Sequence, residues 1–195
     1  MSAARSAGRV VAGSARGIRL EAPPGNARPL GDRLKEALFA ILEPQLRGRT
    51  FLDLFAGSGS GAIEALSRGA ARAVLVERDA AAIATIATNL RATRLTDEAV
   101  VRRADAIAWL RTSAAADGPF DVVLADPPYV APHVLAEALG IIAAAGPGTI
   151  LAIGGVVVAK HGRRTTPEAR IGLLASVRER QVGESTLTFL RWETE

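Results

Sequence analysis

From residue 51 onwards, short apolar runs alternate with segments of helical length, and that rhythm limits the chain to a small set of folds. Residues 51–55 (Phe-Leu-Asp-Leu-Phe) read as a buried strand, a glycine loop follows, and a helix begins over 62–67. Residues 73–77 form the next strand and 80–91 an alanine-rich helix. A strand around Val100 and Val101 and a helix around 106–110 come after it. Residues 120–124 are a fourth strand, ending in Asp126-Pro127-Pro128-Tyr129. Strands separated by helices at this spacing predict a parallel, doubly wound α/β sheet. After it, residues 173–178 and 186–192 read as an antiparallel hairpin joined across Gly183 and closing the sheet edge. Before it, residues 9–13 and 18–20 flank a Gly-containing turn and read as a hairpin. A break at Pro23-Pro24-Gly25-Asn26 follows, then a helix capped by Asp32 with Leu34, Leu38, Phe39, Ile41 and Leu42 on its apolar side. The expected division is a basic hairpin extension over 1–29 and a main domain over 30–195.

One stretch is free of charge long enough to span a bilayer, residues 138–159. Gly146-Pro147-Gly148 and Gly154-Gly155 cut it into pieces, so a helix ending near Gly146, a loop and a buried strand at 156–158 describe it better. With no apolar signal core at the N-terminus, a cytoplasmic location is expected. The chain has no cysteine, which excludes disulfide scaffolds, thiolate zinc sites and cysteine nucleophiles. Two histidines, His133 and His161, are too few for a multi-histidine metal site, and no metal is expected. Lys35 and Lys160 are the only lysines, so nearly all of the 24 basic residues are arginine, against 20 acids. Arginine forks onto phosphate, which favours an anionic partner such as nucleic acid, although genome composition alone also enriches it.

The run Asp53-Leu-Phe55-Ala-Gly57-Ser-Gly59-Ser-Gly61 sits where a strand turns into a helix, where backbone approaches a ligand at the carboxyl ends of the strands. Glu77 ends the next strand about twenty residues on, at the distance where an acid accepts from ribose hydroxyls. Asp105 follows the third strand, within reach of an adenine amino group. The glycine spacing is neither that of a dinucleotide fold nor that of a Walker loop. Asp53 suits a ligand carrying positive charge, and a capping or turn carboxylate is the plain alternative.

Asp126-Pro127-Pro128-Tyr129 falls at the same crevice. The two prolines withhold backbone donors, leaving carbonyls free to accept. If Asp126 and the Pro127 carbonyl each accept one N–H of an exocyclic nucleobase amine, its lone pair is turned towards an electrophile, while Tyr129 stacks on the base. A proline-rich turn ending a strand is the plain alternative.

Through these residues the chain resembles S-adenosylmethionine-dependent amino-methyltransferases. More narrowly it resembles the RsmD family, which acts on guanine N2 of small-subunit ribosomal RNA. Arg9 to Gly13, Gly17 to Leu20, Arg28 to Phe39, Glu64 to Ala70, Arg180 to Gly183 and Leu187 to Phe189 carry the likeness over nearly the whole chain. The resemblance implies a Rossmann-like class I methyltransferase of roughly seven strands, the last antiparallel, with an N-terminal extension on RNA. It implies S-adenosyl-L-methionine as cofactor, held by Asp53, Phe55, Gly57, Gly59, Gly61, Glu77 and Asp105, and Asp126, Pro127, Pro128 and Tyr129 as catalytic residues. Arg9, Arg16, Arg19, Arg28 and Arg33 become the RNA-contacting set, and small-subunit RNA or the assembling subunit the partner of a monomer. Leu30-Gly31, Ser60-Gly61-Ala62, Lys160 and Val182 depart from the family pattern. The competing functions are an adenine-N6 methyltransferase, a non-catalytic RNA-binding or ribosome-assembly protein on the same fold, and, disfavoured by the glycine spacing, a nicotinamide dehydrogenase.

Overall fold

The computed structural model describes residues 6–24, 30–128 and 132–193. Their elements are β1 Ser6–Arg9, β2 Arg19–Glu21, α1 Asp32–Leu42, β3 Thr50–Asp53, α2 Ser60–Ser67, β4 Arg72–Glu77 and α3 Ala80–Thr93. They continue with β5 Ala99–Arg103, α4 Ala106–Thr112, α5 Ala114–Asp117, β6 Phe120–Ala125, α6 Pro132–Ala145, β7 Leu151–Gly162, β8 Arg170–Ile171, β9 Leu174–Val182 and β10 Ser185–Trp192.

The main sheet runs in the order β5-β4-β3-β6-β7-β10-β9-β8. Strands β3 to β7 are parallel, as the intervening helices require. Side chains alternate across it. Phe51, Leu75, Leu124 and Val158 join one core with α1, α2 and α3, while Leu52, Val74, Val123 and Val157 join the other with Trp109, Leu139 and Ile142. Burial on both faces explains why these strands read as continuous apolar runs.

The C-terminal hairpin closes the sheet edge as expected, β10 pairing antiparallel with β7 and with β9, and the short β8 lies outside β9. The main sheet thus has eight strands among the described residues. Asp32 is not the cap of α1. Gly31 holds that position, and Asp32 instead accepts from the backbone N–H of Arg9 at 3.0 Å and lies 3.3 Å from Lys35 Nζ. The charge-free stretch divides between the end of α6 and β7, as expected, but β7 begins at Leu151 and runs through Gly154-Gly155 instead of starting at 156. No helix among the described residues is long and apolar enough to cross a membrane.

The N-terminal hairpin pairs β1 with β2, from Ser6 opposite Glu21 to Arg9 opposite Arg19. It is fastened to the main sheet's helices. Glu64, fully buried on α2, accepts from Val11 N at 2.8 Å, Ala12 N at 3.0 Å and Arg68 Nε at 2.8 Å. Lys35 Nζ is 4.0 Å from the same carboxylate and donates to the Arg9 carbonyl. On the far side, Asn89 of α3 accepts from Glu21 N and donates to the carbonyls of Glu21 and Ser58. Ala7, Val10, Ala15 and Leu20 belong to the same core as α1 and α2.

Candidate active site

The carboxyl ends of β3, β4, β5 and β6 open into a cavity of about 830 Å³. Asp53, Phe55, Gly57, Gly61, Glu77, Asp105, Asp126, Pro127 and Pro128 all line it. Gly59 does not. Its φ of +77° starts α2 in the left-handed region, and a Cβ there would meet Leu75, Ile86 and Ile63, so it serves the core packing behind the loop. Tyr129 lies outside the described residues.

Glu77, Asp105 and Asp53 are each oriented by backbone donors. Glu77 accepts from Gly57 N through one oxygen and from Arg78 N and Asp79 N through the other, tying the glycine loop to the end of β4. Asp105 caps α4, its Oδ1 accepting from Ile107 N and Ala108 N, and its Oδ2 is 3.8 Å from Arg78. Asp53 Oδ2 accepts from Ala62 N in the first turn of α2 at 3.0 Å. It therefore does act as a turn carboxylate, yet it also lines the cavity. A Cβ on Gly61 would come within 2.8 Å of that same Asp53 oxygen and of Leu124, so only glycine lets the helix start this close to β3.

Burial, with Asp126 and Glu77 as negative neighbours, pushes the Asp53 carboxyl up to about 7, partly opposed by the Ala62 hydrogen bond. Asp126 is also raised by burial. Lys160, 2.6 Å away on β7, pairs with the carboxylate and works against that shift. Lys160 is itself buried and lines the cavity. Sequence reasoning noted it only as a departure from a pattern. The clue to its role is its place two residues after Val158 in a strand beside β6, so that it faces the same way as Asp126. Ser58, also missed, lines the cavity with a buried hydroxyl that has no hydrogen-bond partner among the described residues. The departing Leu30 and Ser60 line the cavity as well, and Ala62 supplies the N–H that Asp53 accepts.

The RNA-contacting set is dispersed. Arg16, Arg19 and Arg33 are exposed on and beside the hairpin, Arg9 is exposed and 3.6 Å from Asp32, and Arg28 lies outside the described residues. Pro23 and Leu30, at the two ends of the connection from hairpin to α1, reach the cavity lining.

This arrangement has known counterparts. The family described as Conserved hypothetical protein 95 matches residues 8–191. The chain belongs to that family, the RsmD family of the sequence resemblance. YlbH of Bacillus subtilis, provisionally named an rRNA methyltransferase, is 36% identical over 90% of this chain and 94% of its own length. The ribosomal RNA small subunit methyltransferase D of Escherichia coli K12 is 41% identical over 62% of this chain and 60% of its own. Among solved structures, the Escherichia coli protein yhhF, provisionally named a methyltransferase, superposes with a TM-score of 0.82 at 28% identity, covering 96% of this chain and 98% of that one. The fold is that of a Rossmann-like class I methyltransferase.

Proposed function

We propose that this protein transfers a methyl group from S-adenosylmethionine to the exocyclic N2 amine of a guanine in small-subunit ribosomal RNA. The observation that carries the reading is the meeting of three backbone-oriented acids and the Asp126-Pro127-Pro128 turn around one cavity. The relatives' names support RNA as the substrate class and methyl transfer as the reaction.

The cavity's chemistry fits the cofactor. Ser58 offers an unpartnered buried hydroxyl, Glu77 and Asp105 keep unused lone pairs for ribose and adenine donors, and Asp53 sets negative charge beside the glycine loop. When bound, the cofactor supplies a methyl on a positively charged sulfur, the electrophile of the reaction.

Asp126 and the Pro127 carbonyl accept the two N–H donors of the guanine amine and turn its lone pair towards that methyl. A bound cofactor would supply the methyl for the new N–C bond, its sulfur keeping the electron pair of the S–C bond given up. The amine nitrogen then carries an extra proton and positive charge next to the Asp126 carboxyl group, which accepts its hydrogen bond until the proton leaves to water. Lys160 occupies one Asp126 oxygen, so the other is the one available to the amine. Orienting the two reactants supplies several kcal/mol of the barrier reduction, and no covalent enzyme intermediate is needed. The residues up to 29 are proposed as the RNA-facing entrance, with Arg9, Arg16, Arg19 and Arg28 as its cations and Arg33 beside them at the start of the methyltransferase domain that follows.

The test is transfer of labelled methyl to small-subunit RNA from a strain lacking the modification, followed by nucleoside analysis. N2-methylguanosine is expected, and N6-methyladenosine would favour the adenine alternative. Asp126→Ala should abolish transfer while calorimetry shows cofactor binding within a few-fold of wild type. Turnover near the wild-type rate in that variant refutes the mechanism, and no detectable cofactor binding by the wild type favours a non-catalytic RNA-binding protein.

A further inference from the structure

The second arginine-rich part of the chain lies beyond the cavity, between residues 163 and 185, where Arg163, Arg164, Arg170, Arg178 and Arg180 face Glu168, Glu179 and Glu184. Sheet register places part of it closely with respect to the reacting position. Ala125 of β6 pairs with Ala159 of β7, so Asp126 falls beside Lys160, to which it is bonded. Lys160 pairs with Leu187 of β10, and Leu187 with Arg180 of β9. Directly paired residues share a face, so Asp126, Lys160, Leu187 and Arg180 form one rung across four strands. Three strand spacings put the Arg180 backbone about 14 Å from that of Asp126. Arg178 pairs with Phe189 and sits on the same face two residues further along β9. Arg164 leaves the end of β7 at the same edge of the sheet as Asp126.

Arg164, Arg178 and Arg180 are exposed, and none forms an ion pair among the described residues. The neighbouring arginines are occupied: Arg163 donates to the Gly183 carbonyl, bracing the turn between β9 and β10, and Arg170 pairs with Glu193. Glu179, between the two β9 arginines, alternates to the opposite face, where it accepts from Thr188 Oγ1 at 3.3 Å. The face shared with Asp126 is thus left basic on β9, with Glu168 and Glu184 confined to the flanking connections. The N-terminal hairpin is fastened to α1 through Asp32 and Lys35, to α2 through Glu64 and to α3 through Asn89, and α1 in turn packs against β9.

We propose that Arg180, Arg178 and Arg164 hold the sugar-phosphate backbone of the RNA strand next to the nucleotide in the cavity, on the β9 side of the sheet. The proposal rests on the methyl-transfer reading. A base extended to Asp126 leaves its neighbouring phosphates at the cavity mouth, and a strip of solvent-facing guanidinium groups on and beside the same rung is what binds them. Such binding adds affinity and orientation without reading sequence. It leaves the bond-making step itself to Asp126 and the Pro127 carbonyl.

The test is steady-state methyl transfer by the full chain carrying Arg178→Gln and Arg180→Gln. The substrate is small-subunit RNA lacking the modification, free or assembled, whichever the wild type methylates, at several salt concentrations. The KM for RNA is expected to rise severalfold. The slope of log kcat/KM against log salt should flatten by about 0.7 for each phosphate that the variant no longer neutralises. The kcat at saturating RNA and the calorimetric affinity for S-adenosylmethionine should stay at wild-type values. Arg111→Gln, which removes the same charge from α4 on the other face, should move none of these. An unchanged KM and salt slope in the double variant overturns the proposal, as does an Arg111→Gln effect of equal size. A KM that rises without any change in salt slope assigns the strip to a protein of the subunit and overturns the RNA assignment. If the wild type methylates no RNA at all, the functional reading itself falls and the strip with it, whereas an active wild type with an unmoved double variant condemns the strip alone.

Discussion

Glu64 is the residue whose removal should cost the fold most. Its carboxylate is fully buried and receives two backbone N–H groups, Val11 and Ala12, together with Arg68 Nε, while Lys35 stands 4.0 Å away with no exposed side-chain surface. Glu64→Ala strands both amides and removes a counter-charge from two buried cations. A buried polar group left unpaired costs about 1–3 kcal/mol, and breaking a buried ion pair costs about 3–5 kcal/mol. These costs overlap at one site, and Lys35 keeps Asp32 and the Arg9 carbonyl, so they do not add. The expected loss is about 3–5 kcal/mol, a large share of the roughly 5–15 kcal/mol that holds a domain folded. Urea denaturation should show the midpoint falling with an unchanged m-value, and Glu64→Gln, which keeps one acceptor, should fall between. Hydrogen exchange should accelerate first at the amides of Val11 and Ala12. A loss under about 1 kcal/mol would refute the reading of Glu64 as the anchor of the hairpin.

The acids in the cavity carry two more expected outcomes. Lys160→Met removes the cation that opposes the burial-driven rise of Asp126, so its carboxyl titrates higher still and the acid limb of kcat/KM moves to higher pH, while Lys160→Arg stays near wild type. Superimposable pH profiles for Lys160→Met and wild type would count against the pairing. Asp53 titrates near 7 in the folded chain, above its ordinary carboxyl value, so the native state binds the extra proton and stability contributed by Asp53 is lost as pH rises from about 4 through about 7. Asp53→Asn should flatten that dependence. Cofactor binding, which brings positive charge, should release part of a proton near pH 7, visible as a calorimetric enthalpy that depends on the buffer's ionisation heat. Buffer-independent heats refute it.

The parallel half of the sheet was legible because strands buried on both faces are short apolar runs, and Asp53, Glu77, Asp105 and Asp126 could be placed because each falls at a strand end. What stayed hidden depends on partners far away in sequence. Asp32 looks like a helix cap by local rules, yet the Arg9 amide and Lys35 claim its oxygens. Strand β7 begins at Leu151 although Gly154-Gly155 reads as a loop, because its pairing with β6 shifts register there instead of ending. Gly59 looks equivalent to Gly57 and Gly61 in a repeating loop, and only the packing of Leu75 and Ile86 separates its role. Lys160 carries no local signature at all: its meaning comes from a neighbouring strand that ends 35 positions earlier.

Because β10 lies between β7 and β9, the order in which the chain is made differs from the order in which the sheet can be finished. A nascent chain that has emerged through β9 holds a strand whose pairing neighbours in the finished sheet are β8 and a segment not yet synthesised. Until β10 arrives, the edge of β7 from Val157 to Gly162 stands open, and an open apolar edge invites pairing with other chains. The strands β3, β4 and β5, whose ends carry or precede Asp53, Glu77 and Asp105, can assemble from the first 105 residues, well before this. That part of the cavity wall is thus in place early in translation. The strand that steadies Asp126 through Lys160 is locked in place among the last, so the cavity wall formed by β3, β4 and β5 is built before the wall that carries Asp126 is fixed.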